Sequence, residues 1–432
     1  MSAAVFDASP RRRYTLAMLT LMSAVAFMDR QILAVLIQPV KMEFGLSDLQ
    51  IGLVTGLGFA LTFGLLGVPL GRLADRRERR SLIAWCRGAG GLLAALGGIS
   101  LGFWSLMFTR AGSALSDAGG SPASMSMLAD LYPPEQRSRA MSVFSTGGSV
   151  GALMALVLGS WLAEQYGWRT TVVVVGCSAL LLALLLRWSV HEPLRVLTAH
   201  AAQASADAPR QGAMAAVWAQ PVTRWLIVGA ACALLAGYSF GAWNTALLVR
   251  RHGLSLQQAG WISGTAALLS VLGSLAAGSL TDHLARRDLR WQLGVPVLGL
   301  GLALPCALAY LLLPAGALAP AVVLVVAFAF FMPWWVAPTY AALSLVVPAQ
   351  RRATASALVL LSGAIVGNGV GPIFTGWLSD LIHLSTGGDG LRYALAVVVC
   401  MLLPAMLAFG CALRAYPAAH RAALRPLHPV PD

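Results

Sequence analysis

Charge is what this sequence has least of. Only 11% of its 432 residues are Asp, Glu, Lys or Arg, while 58% are hydrophobic. Soluble domains carry about 25% charged residues, so an ordinary water-facing globular surface is excluded. Asparagine occurs only at Asn244 and Asn368. The six cysteines, Cys86, Cys177, Cys232, Cys306, Cys400 and Cys411, form no CxxC pair and fall inside apolar runs. They read as small hydrophobes rather than disulfides or ligands. The histidines lie in loops or the tail without ligand spacing, so neither a metal nor a cofactor is expected. Paired catalytic carboxylates free of nearby arginines are also lacking, and no enzyme is expected. No cleavable leader is evident, because the first apolar run is full length and lacks a small-residue cleavage site.

What is abundant is apolar sequence, with a mean hydropathy of +0.74. A bilayer core of roughly 30 Å needs about 20 helical residues to cross it. Twelve runs of that order lie near 14–38, 50–71, 81–103, 105–128, 140–163, 168–189, 223–248, 257–281, 292–313, 319–345, 354–378 and 391–414. An all-α polytopic membrane protein of twelve transmembrane helices is therefore expected. The net charge of +13 does not point to nucleic acid, because of where the charges fall. With the N-terminus inside, 22 of the 30 basic residues occupy inner segments and 5 occupy outer loops; Arg30, Arg87 and Arg110 lie within spans. That imbalance is the positive-inside pattern and places both termini in the cytoplasm.

A polar stretch, residues 191–222, separates six spans from six and reads as a cytoplasmic linker with one short surface helix. The expected organisation is a six-helix bundle over 1–190, the linker, a second bundle over 223–415, and a cytoplasmic tail over 416–432. The halves repeat. GRLADRRERR, with Gly71, Asp75, Arg79 and Arg80, follows the second span. GSLTDHLARR, with Gly278, Asp282, Arg286 and Arg287, follows the eighth at identical internal offsets. Pro134, Gln136, Arg137 and Ser142 recur as Pro348, Gln350, Arg351 and Ser356. Parallel six-span repeats are the architecture of major facilitator transporters, whose substrate site lies at mid-membrane between the halves. The two arginine-rich segments resemble that superfamily's loop between spans 2 and 3, with Glu78 standing where a glycine is usual. An Asp at a helix end can accept backbone amides of a neighbouring helix N-terminus, so Gly71, Asp75, Arg79, Arg80, Asp282 and Arg286 are candidate gating residues. The plainer reading is a positive-inside loop.

Against this apolar background, AVAFMDRQILAVL (24–36) places Asp29 and Arg30 in mid-span. Arg110 and Asp117 do the same in span 4. Each such residue costs about 2.5–3.5 kcal/mol at the helix centre. Facing lipid, the four would cost on the order of 10 kcal/mol, comparable with a domain's whole stability. They must face one another or a water-filled cavity. Arg110 and Asp117 are two turns apart on one helix face, whereas Asp29 and Arg30 differ by about 100° around theirs. The two readings are a structural ion-pair lock between spans 1 and 4, or a binding and coupling cluster.

MDRQILAVLIQPVKMEFGLSDLQIGLV (28–54) and RAGSALSDAGGSPASMSMLADLYPPEQRSRA (110–140) resemble spinster-like members of the superfamily, which carry a DRQ-type element in span 1. In span 4 they carry an Arg followed seven residues later by a Glu; this chain has Asp117 there. The likeness is strongest over residues 20–170. It implies proton coupling through Asp29 and Asp117 and anion binding by Arg30 and Arg110. It also implies a substrate such as a lysophospholipid or sphingoid phosphate. A proton-coupled drug exporter or small organic-anion porter is the alternative, and a non-transporting receptor a further one. In the second half Tyr238, Asn244, Trp335 and Asn368 are candidate substrate contacts, with packing the competing role. Gly367, Gly369, Gly371 and Pro372 are a candidate hinge or a close-packing site. The expected partners are an amphiphilic or anionic small molecule, protons and the bilayer. The expected setting is the inner membrane of a bacterial cell, and the expected state a monomer.

Reporter fusions after residues 45 and 255 should report an external location, and fusions near 205 and 425 an internal one. An external reading at 205 would overturn the division into two six-span halves.

Overall fold

The computed structural model describes residues 10–193, 217–347, 349–386 and 389–423, and every regular element among them is helical. Helix α1 is Pro10–Phe44. Helix α2 runs Asp48–Gly52, Leu53–Leu57 and Gly58–Arg76, its middle piece a π-helical turn. Helix α3 is Arg79–Leu96, and α4 comprises Phe103–Ser113 and Leu115–Leu131, interrupted at Ala114. Helix α5 begins as Pro134–Met154, passes a π turn at Ala155–Gly159 and continues into Ser160–Ser189. Gly167, at φ +80°, bends that segment, a backbone region that only glycine enters freely; the remainder, 168–189, is α6. The corner is pinned by Glu43, which accepts from the indole of Trp168 and the guanidinium of Arg169.

The second set is α7 (Pro221–His252), α8 (Leu256–Ala285) and α9 (Trp291–Leu312). Helix α10 runs Leu318–Phe331, Met332–Trp335 and Val336–Val346. Helix α11 runs Ala349–Ser362, the π-helical Gly363–Val370 and Gly371–Thr386. Helix α12 is Gly390–Val399 and Leu402–Ala423. Ten helical stretches among the described residues are long and apolar enough to cross a membrane. One of them, Arg139–Ser189, is 51 residues long and holds both α5 and α6. The broken, charge-bearing α4 is not among the ten, and with it the spans number twelve.

The chain forms two compact units. The first takes in the described part of Met1–Thr198 together with Gly241–Gly264 and Pro372–Asp380. Here α1 packs on α5, α3 on both α4 and α6, and α2 on α4. The shared core contains Met18, Leu19, Met22, Ile83, Met127, Phe144 and Leu186. Lipid tails are as apolar as leucine, so helices in a bilayer associate through close contact rather than hydrophobic expulsion. Small residues supply that contact: Gly91 and Gly176 bring the backbones of α3 and α6 together, and Gly147 and Gly151 bring α5 onto Thr20 and Ala24 of α1.

The second unit contains the rest of the described residues and centres on α9, which packs on α10 and α12. Ala277, Val295 and Trp334 form a small buried cluster, and Gly299 makes room for the Trp334 ring. In α11 the π-helical stretch coincides with the glycine-rich segment. Gly367 lies against the Tyr238 ring and Gly371 against Ser239.

Adding a Cβ at Gly176 would overlap the backbone of Ala95 and Gly91, so Gly176→Ala should lower stability by about 1–3 kcal/mol. A matched Gly64→Ala, where nothing lies within 4 Å, should leave the thermal midpoint in detergent unchanged. Equal midpoints would contradict the α3–α6 packing.

Candidate functional site

Three arginines and two aspartates occupy the interior of the first unit, contributed by α1, α3 and α4. Arg110 turns towards α1: its Nη1 donates to the Asp29 backbone carbonyl at 3.0 Å and reaches Asp29 Oδ1 at 3.4 Å, and its Nη2 donates to the Arg30 carbonyl at 3.4 Å. The Ser113 hydroxyl donates to the Arg110 backbone carbonyl at 3.1 Å. Asp117 turns towards α3, where Arg87 Nη1 donates to Asp117 Oδ1 at 3.3 Å and to Ser116 Oγ at 3.3 Å, and Nη2 to Ser121 Oγ at 3.2 Å. Arg87 is fully enclosed, with 2% of its side chain exposed. Gly120 makes the space, since a Cβ there would strike the Arg87 guanidinium stem.

Arg30 has a different surrounding. Its guanidinium lies 4.4 Å from the Phe59 ring centroid and 5.5 Å from that of Phe27, and Phe63 stacks on Phe59. No carboxylate among the described residues pairs with it. Across the cluster, three arginines face two aspartates, leaving one positive charge. Arg30 carries it.

Of the sequence-predicted residues, Asp29, Arg110, Asp117 and Arg30 therefore share one region, but Arg110 and Asp117 serve different neighbours. Arg87, which sequence reasoning placed within a span without a role, is the partner of Asp117. In the second half the nominees are dispersed. The Tyr238 ring lies against Gly367, the residue before Asn368 on α11. Trp335 is buried against Phe409. Asn244 is buried and donates to Ser263 of α8.

The arginine-rich loop holds its own network. Arg79 is 2% exposed and binds Asp130, Glu192 and the Ser126 carbonyl. Glu192 also accepts from the backbone amides of Arg79 and Arg80, at 3.3 and 2.7 Å. A carboxylate does cap the α3 N-terminus, where the helix dipole favours an anion, but it is one that sequence reasoning did not nominate. Outside the spans, the hydroxyl of Ser81 and then Arg80 hold the Glu78 carboxyl below the ordinary range. The Asp75 side chain lies outside the described residues. Asp282 and Arg286 are exposed at the end of α8, and Gly71 and Gly278 both open on empty space.

A further cluster, also missed in sequence, sits at the start of α2. Asp48 is 3% exposed. It accepts two hydrogen bonds of 2.9 Å from Arg250, with further ones from Lys41 and Ser379. Asp380 in turn accepts from the amides of Asp48 and Leu49 at 2.9 and 2.8 Å. The only local signal was the capping box of Ser47 and Gln50.

Residues 147–151, GGSVG, have the spacing of a hydrolase nucleophile elbow, but that motif needs a strand–turn–helix setting. Here it lies within continuous helix packed on α1. On the same helix Met141, Ser142, Ser145, Thr146 and Ser149 line a cavity of about 460 Å³.

Removing Arg87 strands a buried carboxylate. Arg87→Leu should destabilise the protein by about 3–5 kcal/mol, and adding Asp117→Leu should recover most of that loss. Thermal unfolding in detergent measures both; a double variant no more stable than the single one would mean that the pair is not coupled.

Comparison with known proteins follows the same line. The family model of the Major Facilitator Superfamily matches residues 19–364. An MFS-type efflux pump of Mycolicibacterium smegmatis is 32% identical, over 91% of this chain and 90% of that protein. A probable L-galactonate transporter of Escherichia coli K12 is 23% identical, over 92% and 89%. Among solved structures, a bacterial homologue of the human lysosomal transporter Spinster, inward-facing and unoccupied, aligns with a TM-score of 0.86 and 27% identity. That alignment covers 95% of this chain and 99% of the other. A polytopic chain of twelve helices, matched along most of its length by transporters, belongs to the Major Facilitator Superfamily.

Proposed function

We propose that this transporter is proton-coupled and moves an amphiphilic anion, such as a lysophospholipid or sphingoid phosphate. The observation that carries the reading is Arg30, a half-buried cation at membrane depth that lies against aromatic rings and pairs with no carboxylate among the described residues. A charge there is expensive unless something neutralises it. An anionic group would do so, and the rings of Phe27, Phe59 and Phe63 suit an apolar body attached to that group. Likeness to a bacterial homologue of the lysosomal transporter Spinster supports a transport role for the chain.

Coupling follows from competition. Asp29 and an anionic substrate both seek the positive charge of Arg110 and Arg30. A proton on Asp29 removes one competitor, so proton and anion binding reinforce one another. Such reciprocity amounts to a coupling free energy of about 1–3 kcal/mol. Arg30 and Arg110 bind the anion in this reading, and Asp29 carries the proton, with Asp117 the next candidate. The arginine-rich loops, including Gly71, Asp75, Arg79, Arg80, Asp282 and Arg286, act as gates. Both termini face the cytoplasm, and the working unit is a monomer.

A second reading, export of drugs or transport of small organic anions, is favoured by two observations. The 32% identical relative is described as an efflux pump and the 23% identical one as a probable L-galactonate transporter. The hydroxyl-lined cavity on α5 also suits a small polar solute.

In proteoliposomes, Asp29→Asn should keep substrate binding and lose the pH dependence of transport. Arg30→Ala and Arg110→Ala should lose binding of the anion. PH dependence surviving in Asp29→Asn would assign the proton elsewhere.

A further inference from the structure

Helix α4 carries two charges of the candidate site, and the helix is broken between them. Seven residues advance a straight α-helix by about 700°, nearly two full turns, so Arg110 and Asp117 should share one face. They do not: Arg110 reaches α1 and Asp117 reaches α3. Between them, Ala114 falls outside both pieces of α4. The Asp117 amide turns to the Ala114 carbonyl at 3.1 Å, three residues back instead of four. Such a turn advances about 120° per residue, where an α-helix advances about 100°. Over three residues the difference is about 60°, enough to send the two side chains to different neighbours.

Two hydroxyls hold this break open. A helix bends where a side chain inserts into its hydrogen-bond ladder. The Ser113 hydroxyl donates to the Arg110 carbonyl at 3.1 Å, and the Ala114 amide reaches that same carbonyl only at 3.4 Å. This bond is local, a habit of serine within helices. The Ala111 carbonyl, which an unbroken helix would give to the Leu115 amide, accepts instead from the Thr62 hydroxyl of α2 at 2.7 Å. Gly58, one turn before Thr62, lets α2 come this close, since a Cβ there would lie 3.3 Å from the Ala111 nitrogen. Phe59 and Phe63 of the same stretch form the aromatic surface on which Arg30 rests. Residues 58–63 of α2 thus touch the surroundings of both arginines.

From this we infer that Thr62 is a positioning residue of the transport site: its hydroxyl holds α4 open at Ala111, so that Arg110 faces α1 while Asp117 stays with Arg87. The consequence for transport rests on the reading of Arg110 as a ligand of the anion; the effect on α4 does not. Without the hydroxyl, the Ala111 carbonyl returns to the Leu115 amide, because a backbone carbonyl away from water needs a donor. The extra rotation is then lost. Asp117 is anchored by Arg87, which Ser116 and Ser121 hold as well. The displacement therefore falls on Arg110, which leaves the carbonyls of Asp29 and Arg30.

The test compares Thr62→Val, which keeps the side-chain shape and removes the donor, with Thr62→Ser, which keeps the donor. Amide hydrogen exchange of the full chain in detergent, read on peptides spanning residues 110–118, reports the ladder. Thr62→Val should slow exchange at the Leu115 amide, although a hydrogen bond has been removed, and Thr62→Ser should match the wild type. Transport is read in proteoliposomes with oleoyl-lysophosphatidylglycerol and galactonate as probes, the anions of the two readings above. For the probe that is carried, Thr62→Val should raise KM about tenfold, the value of one charge-assisted contact, with kcat changed far less. Thr62→Ser should restore it. Exchange in Thr62→Val equal to or faster than wild type would overturn the inference, because the hydroxyl would then be a packing contact only. Slowed exchange with an unchanged KM would overturn it too, where Arg110→Ala abolishes uptake. Uptake that survives Arg110→Ala would refute the anion reading itself, and exchange would still decide whether Thr62 opens α4. Should Thr62→Val fail to fold, Thr62→Ala removes the same donor and is read in the same way.

Discussion

An arginine at bilayer depth has no water to return to, and the first unit is arranged around that fact. Three arginines are enclosed by helices α1 to α4, and each is accommodated differently. Arg87 is sealed with a carboxylate and two hydroxyls. Arg110 is held chiefly by backbone carbonyls that α1 presents to it. Arg30 rests on aromatic faces, where ring quadrupoles attract a cation most strongly in a desolvated setting. Removing any one accommodation exposes a charge that the surrounding lipid cannot solvate.

Enclosure at this depth demands helices closer together than leucine side chains allow. The glycines are placed accordingly. Gly90, Gly119 and Gly120 line the α3–α4 contact beside Arg87, Gly91 and Gly176 close α3 on α6, and Gly147 and Gly151 close α5 on α1. Electrostatics and packing are thus one constraint, because a bulkier residue at Gly120 would expel the arginine as well as part the helices.

The fold was legible because hydrophobic length and arginine distribution are properties of single segments. Twelve spans and an internal repeat need no knowledge of how helices face one another. The neighbourhood of Asp29 and Arg110 was legible for a related reason, since both are charges with nowhere else to go. The identity of partners was not. Each residue advances about 100° around a helix, so a rotation of one residue decides whether Asp117 meets α1 or α3. Nothing in sequence spacing fixes that rotation, and Arg87 stayed a mid-span arginine without a role. Glu192 and Asp48 were hidden differently. Each looked like an ordinary loop acid, and their importance comes from helix N-termini and arginines distant in sequence. Asp75, by contrast, was conspicuous by repetition alone.

The two ion pairs differ in a way that bears on which can change charge during a transport cycle. Among the described residues Arg87 has Asp117 as its one ionic partner, and its Nε, like that of Arg110, lacks an acceptor. Neutralising Asp117 would leave an enclosed guanidinium with hydroxyls only. Arg110 touches the Asp29 carboxylate at a long 3.4 Å while keeping the carbonyls of Asp29 and Arg30. If Asp29 lost its charge, Arg110 would still have acceptors, and it could turn part of its fork to a second anion without being stranded. A site that must exchange one negative charge for another needs a cation whose hydrogen bonds survive the exchange. Arg110 meets that condition and Arg87 does not, which is why the proposed coupling is assigned first to Asp29 at the α1–α4 contact and only second to Asp117 at α3–α4.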